Sequence, residues 1–491
     1  FGIEEASKYY FGKSSKDLSL AEASLLAGIP QSPNNYSPVK NYKLSKERQK
    51  IVLKLMLNNK KITKEEYEEA LNTELKIIGK KEDSNYISIN YFRDSVLEEL
   101  KTITEVPAST IETGGLKIYT TLDANAQKSL EDSVYSYIND DTKIETAAIM
   151  MDPNTGEVLA LIGGNNYSKS QFNRATKAKR QVGSTMKPLL YYSALESGFT
   201  SSSSFTSEKT TFTFSGGKSY SPKNYNDKYA EGPLSMEAAI AYSDNIYAVK
   251  THLFLGENNL INTAKRLGIT SNLSEVPSLA LGTSEISLIE MTSAYSCFAS
   301  LGYKTTPHFI KKIEDSKGNI LYENKEEKEL LLNPSLTYIL NEMLTSTYNK
   351  NFINYNYPTL ISLLPQITHK YAIKSGTTDT DLLIMGYNKN VVLGVWNGYD
   401  NNTKIDSSEY SHHKNIWIDT MESYFKQKEA SWYEIPNNVV GVLTEPITGA
   451  LATDETQNKE MFFYLKGTEP SAESNYKDLE AVFQEENNSN T

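Results

Sequence analysis

The chain has 491 residues, 39% hydrophobic and 23% charged: long enough for several domains, apolar enough for a sizeable core and too balanced for wholesale disorder. Its formal net charge of −11 argues against a nucleic-acid partner, because nucleic acid selects a basic surface. The single cysteine, Cys297, excludes an internal disulfide, and without a CxxC or CxxH spacing the usual zinc site has no ligands, so neither a metal nor a cofactor is expected.

The chain opens on Phe1 inside a helical pattern, with no signal peptide and no run near the roughly 18 apolar residues of a membrane span. A fragment is therefore expected, with any membrane anchor lying upstream. Residues 1–75 read as helices. "SLAEASLLAGI" is opened by Ser19 with Glu22 three residues later, a capping-box pattern, and "ITKEEYEEALN" repeats it with Thr63 and Glu66; "KERQKIVLKLMLNN" lies between. Residues 76–143 change character and read as a small mixed linker. A helix (INYFRDSVLEEL) precedes a strand (GGLKIYTTL), and a second helix (DANAQKSLEDSVYSYI) follows.

A new unit is expected over 144–425. "TAAIMMDPNTGEVLALIGG" is a hairpin, and "YAIKSGT", "DLLIMGY" and "VVLGVWNGY" are three further strands far downstream. Strands from both ends of the unit with helices between them predict an α+β fold around a central antiparallel sheet. Within it Cys297 sits in an apolar helical pattern and reads as a small buried hydrophobe. A short β-like extension covers 426–470, and the polar residues 471–491 are expected to be disordered.

The chemistry-bearing residues lie in the 144–425 unit. "RQVGSTMKPLLYYSAL" sets Ser184 and Lys187 three apart. That spacing is weak alone, since Ser37, Ser215, Ser411, Ser423 and Ser474 share it. Ser184 differs in context: Gly183 permits a tight turn and Pro188 suits a first helical turn. Hydroxyl and amine then share one face of a helix N-terminus, within reach of each other, where the dipole favours negative charge on the serine oxygen. Ser243-Asp244-Asn245 falls between two helical patterns. Lys374-Ser375-Gly376-Thr377, which holds the chain's one K-[ST]-G, ends a strand. Each stretch alone also reads as a helix cap or a strand-end cation; the ordered set of three does not arise readily by chance. The five histidines, His252, His308, His369, His412 and His413, fit no motif and are expected at the surface.

The set SxxK, SxN, K-[ST]-G resembles that of the penicillin-binding proteins. The chain is similar to the class A (bifunctional) members over roughly residues 1–455. "FGIEEASKYYFGKSSKDLSLAEASLLAGIPQSPNNYSP" resembles the end of their glycosyltransferase domain, and "GGLKIYTTLDANAQ" their linker. "LALGTSEISLIEMTSAYSCFASLGYKTTPHFI" and "VVLGVWNGYD" resemble their transpeptidase domain. The resemblance implies that Ser184 attacks a D-Ala-D-Ala stem peptide of peptidoglycan, forms an acyl-enzyme and passes the acyl group to a neighbouring amine. It gives Lys187 the role of base, kept partly neutral by burial and by Lys374 as a nearby cation. Ser243 relays a proton to the leaving amine, and Asn245 orients Lys187 and the substrate amide. The backbone N–H groups of Ser184 and Thr377 form an oxyanion hole, worth roughly 3–4 kcal/mol per donor. Ser375 and Thr377, with Lys374, hold the substrate carboxylate, and Gly376 leaves it room. β-Lactams and the cell-wall synthesis machinery follow as partners, at the outer face of a bacterial cytoplasmic membrane. A D,D-carboxypeptidase, or a sensor or scaffold that keeps the acyl group, uses the same residues.

The chain departs from the family in three places. The upstream glycosyltransferase segments with both catalytic glutamates are not in this sequence, so glycan polymerisation is not expected of it. After the last motif, Asp381 is followed by Leu382, Leu383, Ile384 and Met385 where aromatics are usual. A Gly-Thr-Gly before the last motif is replaced by "YNKNFINYNYPTLISLLPQITHK", expected to be an unusual loop.

Overall fold

The computed structural model describes residues 2–78, 89–113, 115–138, 142–426 and 428–471. The chain forms two compact units: Phe1–Asn85 with Ile103–Ile118 and Ile313–Tyr322, and Tyr86–Thr102 with Tyr119–Lys312 and Glu323–Thr491. Residues 76–143, read as a module of their own, are thus shared between the two. The first unit holds α1 (Ile3–Phe11), α2 (Leu20–Gly28), α3 (Tyr42–Asn58) and α4 (Lys64–Asn72). Both expected capping boxes are present, Ser19 with Glu22 and Thr63 with Glu66, so the N-cap and N3 amides of each helix are satisfied locally. Phe11, Leu25, Leu26, Leu53, Ala70 and Leu75 form the core. Leu53 has no exposed surface, and such a burial stabilises by about 2 kcal/mol.

In the second unit the expected helices form as α5 (Ile89–Leu100) and α6 (Ala124–Tyr137), the latter capped by Asp123. The sheet contains β1 (Glu145–Met151), β2 (Val158–Ile162), β3 (Ala372–Thr377), β4 (Asp381–Tyr387) and β5 (Val392–Gly398). It is antiparallel throughout, in the order β3-β4-β5-β1-β2, and β3 is left at one edge. One face packs on α6 and on α11 (His412–Phe425), through Leu130, Val134, Leu382, Ile384, Leu393, Val395, Ile416, Trp417 and Met421. Trp417 ties that helix down by donating from Nε1 to the Leu393 carbonyl at 3.0 Å. The opposite face is covered by α10 (Leu288–Ala299), which carries the buried Cys297. Covered on both faces, β4 is buried at every residue, so Leu382–Met385 form a continuous apolar run rather than an alternating one.

The replaced loop is compact. Tyr348, Phe352, Leu360 and Leu363 are buried, and short 3-10 turns over Leu344–Tyr348, Lys350–Phe352 and Ile361–Leu363 carry the chain to β3. The 426–470 extension contains a hairpin, β6 (Val439–Thr444) with β7 (Glu460–Leu465). It is bonded into the body: Ser201 Oγ donates to Phe463 O at 2.9 Å and Ser202 Oγ to Gly449 O at 2.6 Å. The tail read as disordered lies outside the described residues, apart from Ser471.

Candidate active site

Ser184 sits in a short 3-10 turn, Gly183–Met186, that runs directly into α7 (Lys187–Glu196). The α-helix therefore starts at Lys187, one turn later than the sequence suggests, with Pro188 at its second position. Gly183 has φ +55°, and a Cβ there would lie 3.1 Å from Thr377 N. The reciprocal constraint falls on Gly376, where a Cβ would lie 2.5 Å from Val182 O and 3.1 Å from Ser184 N. Only glycine allows the turn and strand edge to close to this distance.

The phase of β3 decides what that edge presents. Thr378 N donates to Asp381 O at the β3–β4 turn, while Tyr371 O and Ile373 O accept from Tyr348 and Thr347 on the other side. Alternate residues of an antiparallel strand turn their backbone groups to opposite sides. The backbone of Ser375 and Thr377 thus faces the free edge, towards the turn that carries Ser184. Thr377 is exposed and Ser184 half-buried; Ser375 is buried.

Lys187 is wholly buried. Its Nζ lies 2.7 Å from Ser243 O, 3.2 Å from Ser243 Oγ, 3.1 Å from Asp244 O and 2.7 Å from Asn245 Oδ1. The acceptors come from one junction. Ser243 ends α8 (Met236–Tyr242) in the left-handed conformation, φ 56°, and Asp244 caps α9 (Asn245–Leu255) by accepting from Tyr247 N at 2.8 Å. A left-handed serine costs about 1 kcal/mol or more and persists where neighbours hold it. Asn245 Nδ2 donates to Lys223 O at 2.7 Å, which leaves Oδ1 for the amine. Among the described residues no hydrogen bond joins Lys187 to Ser184; the amine is turned to the α8–α9 junction instead.

Burial holds the Lys187 amine down to about 7, against the pull of the Asp244 carboxylate. Lys374, equally buried, donates to Ser375 O at 2.7 Å. Its amine is pushed well below the ordinary lysine range by burial and then by the like charges of Lys187 and Lys414. As like charges in one pocket, the two buried amines each disfavour the other's protonation.

Sequence reasoning gave Asp244 no role, although an acidic residue before a helix signals a cap. It is buried, with Oδ2 accepting from Ser207 Oγ at 2.5 Å and Asn224 Nδ2 at 2.6 Å. The histidines need correction: His252, His308 and His413 are buried rather than at the surface. His252 is held neutral, its imidazole lowered to about 4 by burial. A lone histidine in a helical apolar pattern packs as a hydrophobe once uncharged, which residue type alone does not reveal.

A serine turn, a buried lysine held by the junction of two helices and a lysine-bearing edge strand thus meet on a five-stranded sheet. Residues 146–406 match the penicillin binding protein transpeptidase domain, and residues 1–57 match the transglycosylase family. The chain belongs to the class A penicillin-binding proteins and is a transpeptidase-family member of peptidoglycan synthesis. It is 41% identical to penicillin-binding protein 2D of Bacillus subtilis over 473 residues, covering 96% of this chain and 68% of the relative. To penicillin-binding protein 1A of Aquifex aeolicus it is 31% identical over 563 residues, covering 96% and 75%. Its fold matches penicillin-binding protein 1A from Haemophilus influenzae with TM-score 0.78 at 23% identity, over 96% of this chain and 89% of that structure. PonA1 of Mycobacterium tuberculosis, solved in complex with penicillin V, matches with TM-score 0.59 at 23% identity over 71% of this chain and 96% of that one.

Proposed function

We propose that the chain is a serine D,D-transpeptidase that cross-links peptidoglycan stem peptides through an acyl-enzyme on Ser184, and that β-lactams acylate the same oxygen. The observation that carries this reading is a wholly buried Lys187 hydrogen-bonded to Ser243 and Asn245. A lysine with an amine pKa of about 7 is neutral half of the time at pH 7 and can accept a proton. Side-chain rotation brings Nζ from the junction to Ser184 Oγ, whose proton it takes as the Oγ–C bond to the penultimate D-Ala carbonyl forms. The oxyanion is held by the N–H groups of Ser184 and Thr377, at the seam between turn and strand. As the C–N bond breaks, the proton passes from Lys187 through Ser243 Oγ to the leaving D-Ala amine. An acceptor amine from a second stem peptide then attacks the ester. Its proton goes to Lys187 and on to Ser184 as the new amide forms.

Asn245 orients Lys187 and the substrate amide. Ser375, Thr377 and Lys374 receive the terminal carboxylate, which supplies the negative charge that Lys374 lacks in the free protein; Gly376 keeps the strand edge open for the peptide. A β-lactam follows the first step, but its ring nitrogen stays tethered and blocks the acceptor. This extends to the chain the penicillin V binding of PonA1. The stem-peptide substrate sets the site of action outside the cytoplasmic membrane, among the cell-wall synthesis machinery. No helix among the described residues is long and apolar enough to cross a membrane.

The test is labelling with a fluorescent penicillin. Stoichiometric labelling of the parent and none of Ser184→Ala is expected; equal labelling of both overturns the assignment. Measuring cross-linked dimer against free D-Ala on purified stem peptides then separates transpeptidation from carboxypeptidation.

A further inference from the structure

Asn224 lies 21 residues before Asn245, outside all three motifs, and is buried with 8% exposure. Its carboxamide is fully used. Nδ2 donates to Asp244 Oδ2 at 2.6 Å, to Lys228 O at 3.0 Å and to Ser207 Oγ at 3.4 Å. Oδ1 accepts from Asn245 N at 2.7 Å and Ile246 N at 3.4 Å. The orientation follows from chemistry: an ionised carboxylate only accepts and backbone N–H groups only donate, so a flipped amide would lose its contacts with all three.

The preceding residue completes the clamp. Lys223 O also only accepts, so it fixes Nδ2 of Asn245 towards itself and Oδ1 towards Lys187 Nζ. A rotated Asn245 would present an NH2 group to the amine. From this geometry we infer that Asn224 is a positioning residue of the transpeptidation site: with the Lys223 carbonyl it sets the side-chain orientation of Asn245, and through it the acceptors that hold Lys187. Asn224 acts through Asn245 and Asp244 and is placed in contact with neither Ser184 nor the substrate. The inference rests on the reading of Lys187 as the base of Ser184.

Stopped-flow acylation by a penicillin tests it, with parent and Ser184→Ala run alongside. An unlabelled parent fails that reading; a labelled parent with unaltered Asn224 variants fails this inference. Asn224→Ala is expected to slow the acylation step on the order of 10- to 100-fold, the scale of a misplaced catalytic group, while the reversible affinity for the penicillin changes little. In an Asn245→Ala background the same substitution is expected to cost only a few-fold. Parental acylation by Asn224→Ala, or an equal loss in both backgrounds, overturns the inference, because a merely structural role adds in either. If Asn224→Ala does not fold, a donor–acceptor exchange serves. Asn224→Asp sets two carboxylates against each other, and adding Asp244→Asn restores a donor between the two positions. Recovery of the acylation rate in the pair supports the clamp, and a folded pair no faster than Asn224→Asp overturns it.

Discussion

At the junction of α8 and α9, Lys187 meets four oxygens, two of them backbone carbonyls, in a nest that exists before any substrate arrives. On β3, Lys374 is buried to the same degree but donates to one carbonyl, that of its neighbour Ser375, and feels two other lysines. Both amines are depressed, for different reasons: desolvation against a nearby carboxylate at Lys187, desolvation plus like charge at Lys374. Under the proposed mechanism the difference teaches how one pocket would divide two tasks: a base that gives and takes a proton has its acceptors in place, and a carboxylate-binding cation is left short of counter-charge for the substrate to supply.

Removing the nest's occupant is the strongest way to break this contrast. Lys187→Ala is expected to slow penicillin acylation by about 10²–10⁴-fold, the range of a lost general base, with no matching loss of reversible affinity. Normal labelling would remove Lys187 as the base. Lys374→Ala is expected to weaken a penicillin by about 30-fold or more while leaving its methyl ester nearly unaffected, since only the free carboxylate needs the cation. Equal losses for acid and ester would assign Lys374 to chemistry rather than binding.

Asn245→Asp sharpens the Lys187 side. A carboxylate in place of Asn245 Oδ1 favours the charged amine, so the rising limb of the acylation profile should move up by about 1–3 pH units. Activity lost at pH 7 would then return at higher pH, whereas an unmoved limb would deny that Asn245 sets the state of Lys187.

The smallest effect is on stability. A folded-state amine held below its unfolded value of 10.5 makes the folded chain bind fewer protons than the unfolded chain. Stability therefore rises with pH through the interval below 10.5. Lys374→Met removes that cost and should raise stability at pH 7 by about 0.5–2 kcal/mol while flattening the rise. Lys187→Met should instead lower stability, because it leaves Ser243 O, Asp244 O and Asn245 Oδ1 without their donor, at about 1–3 kcal/mol per orphaned group. Chemical denaturation at several pH values reads both.

The comparison also marks what a sequence makes legible. Ser184, Lys187, Ser243, Asn245 and Lys374 could be nominated from the sequence because they fall in an ordered set of three short motifs; Ser184, Lys187, Ser243 and Asn245 lie at a turn or a helix end, and Lys374 lies within β3. The capping boxes at Ser19 and Thr63 and the apolar runs of the sheet are equally local. What escaped is tertiary. Asn224 carries no periodic or motif signal, and its partners Asp244 and Asn245 lie 20 and 21 residues away. The burial of His252 and His413 depends on what surrounds them. The segment 348–370 is expected to be a loop only from what it replaces, and nothing in that comparison indicates that Phe352, Leu360 and Leu363 are buried.

The most direct measurement is the acylation rate of the parent by a penicillin from pH 5 to 9. The account predicts a limb that rises with a midpoint at about 7, where the buried Lys187 amine loses its proton. A rate that is flat across that range, or still climbing towards the ordinary lysine value at its upper end, would contradict it.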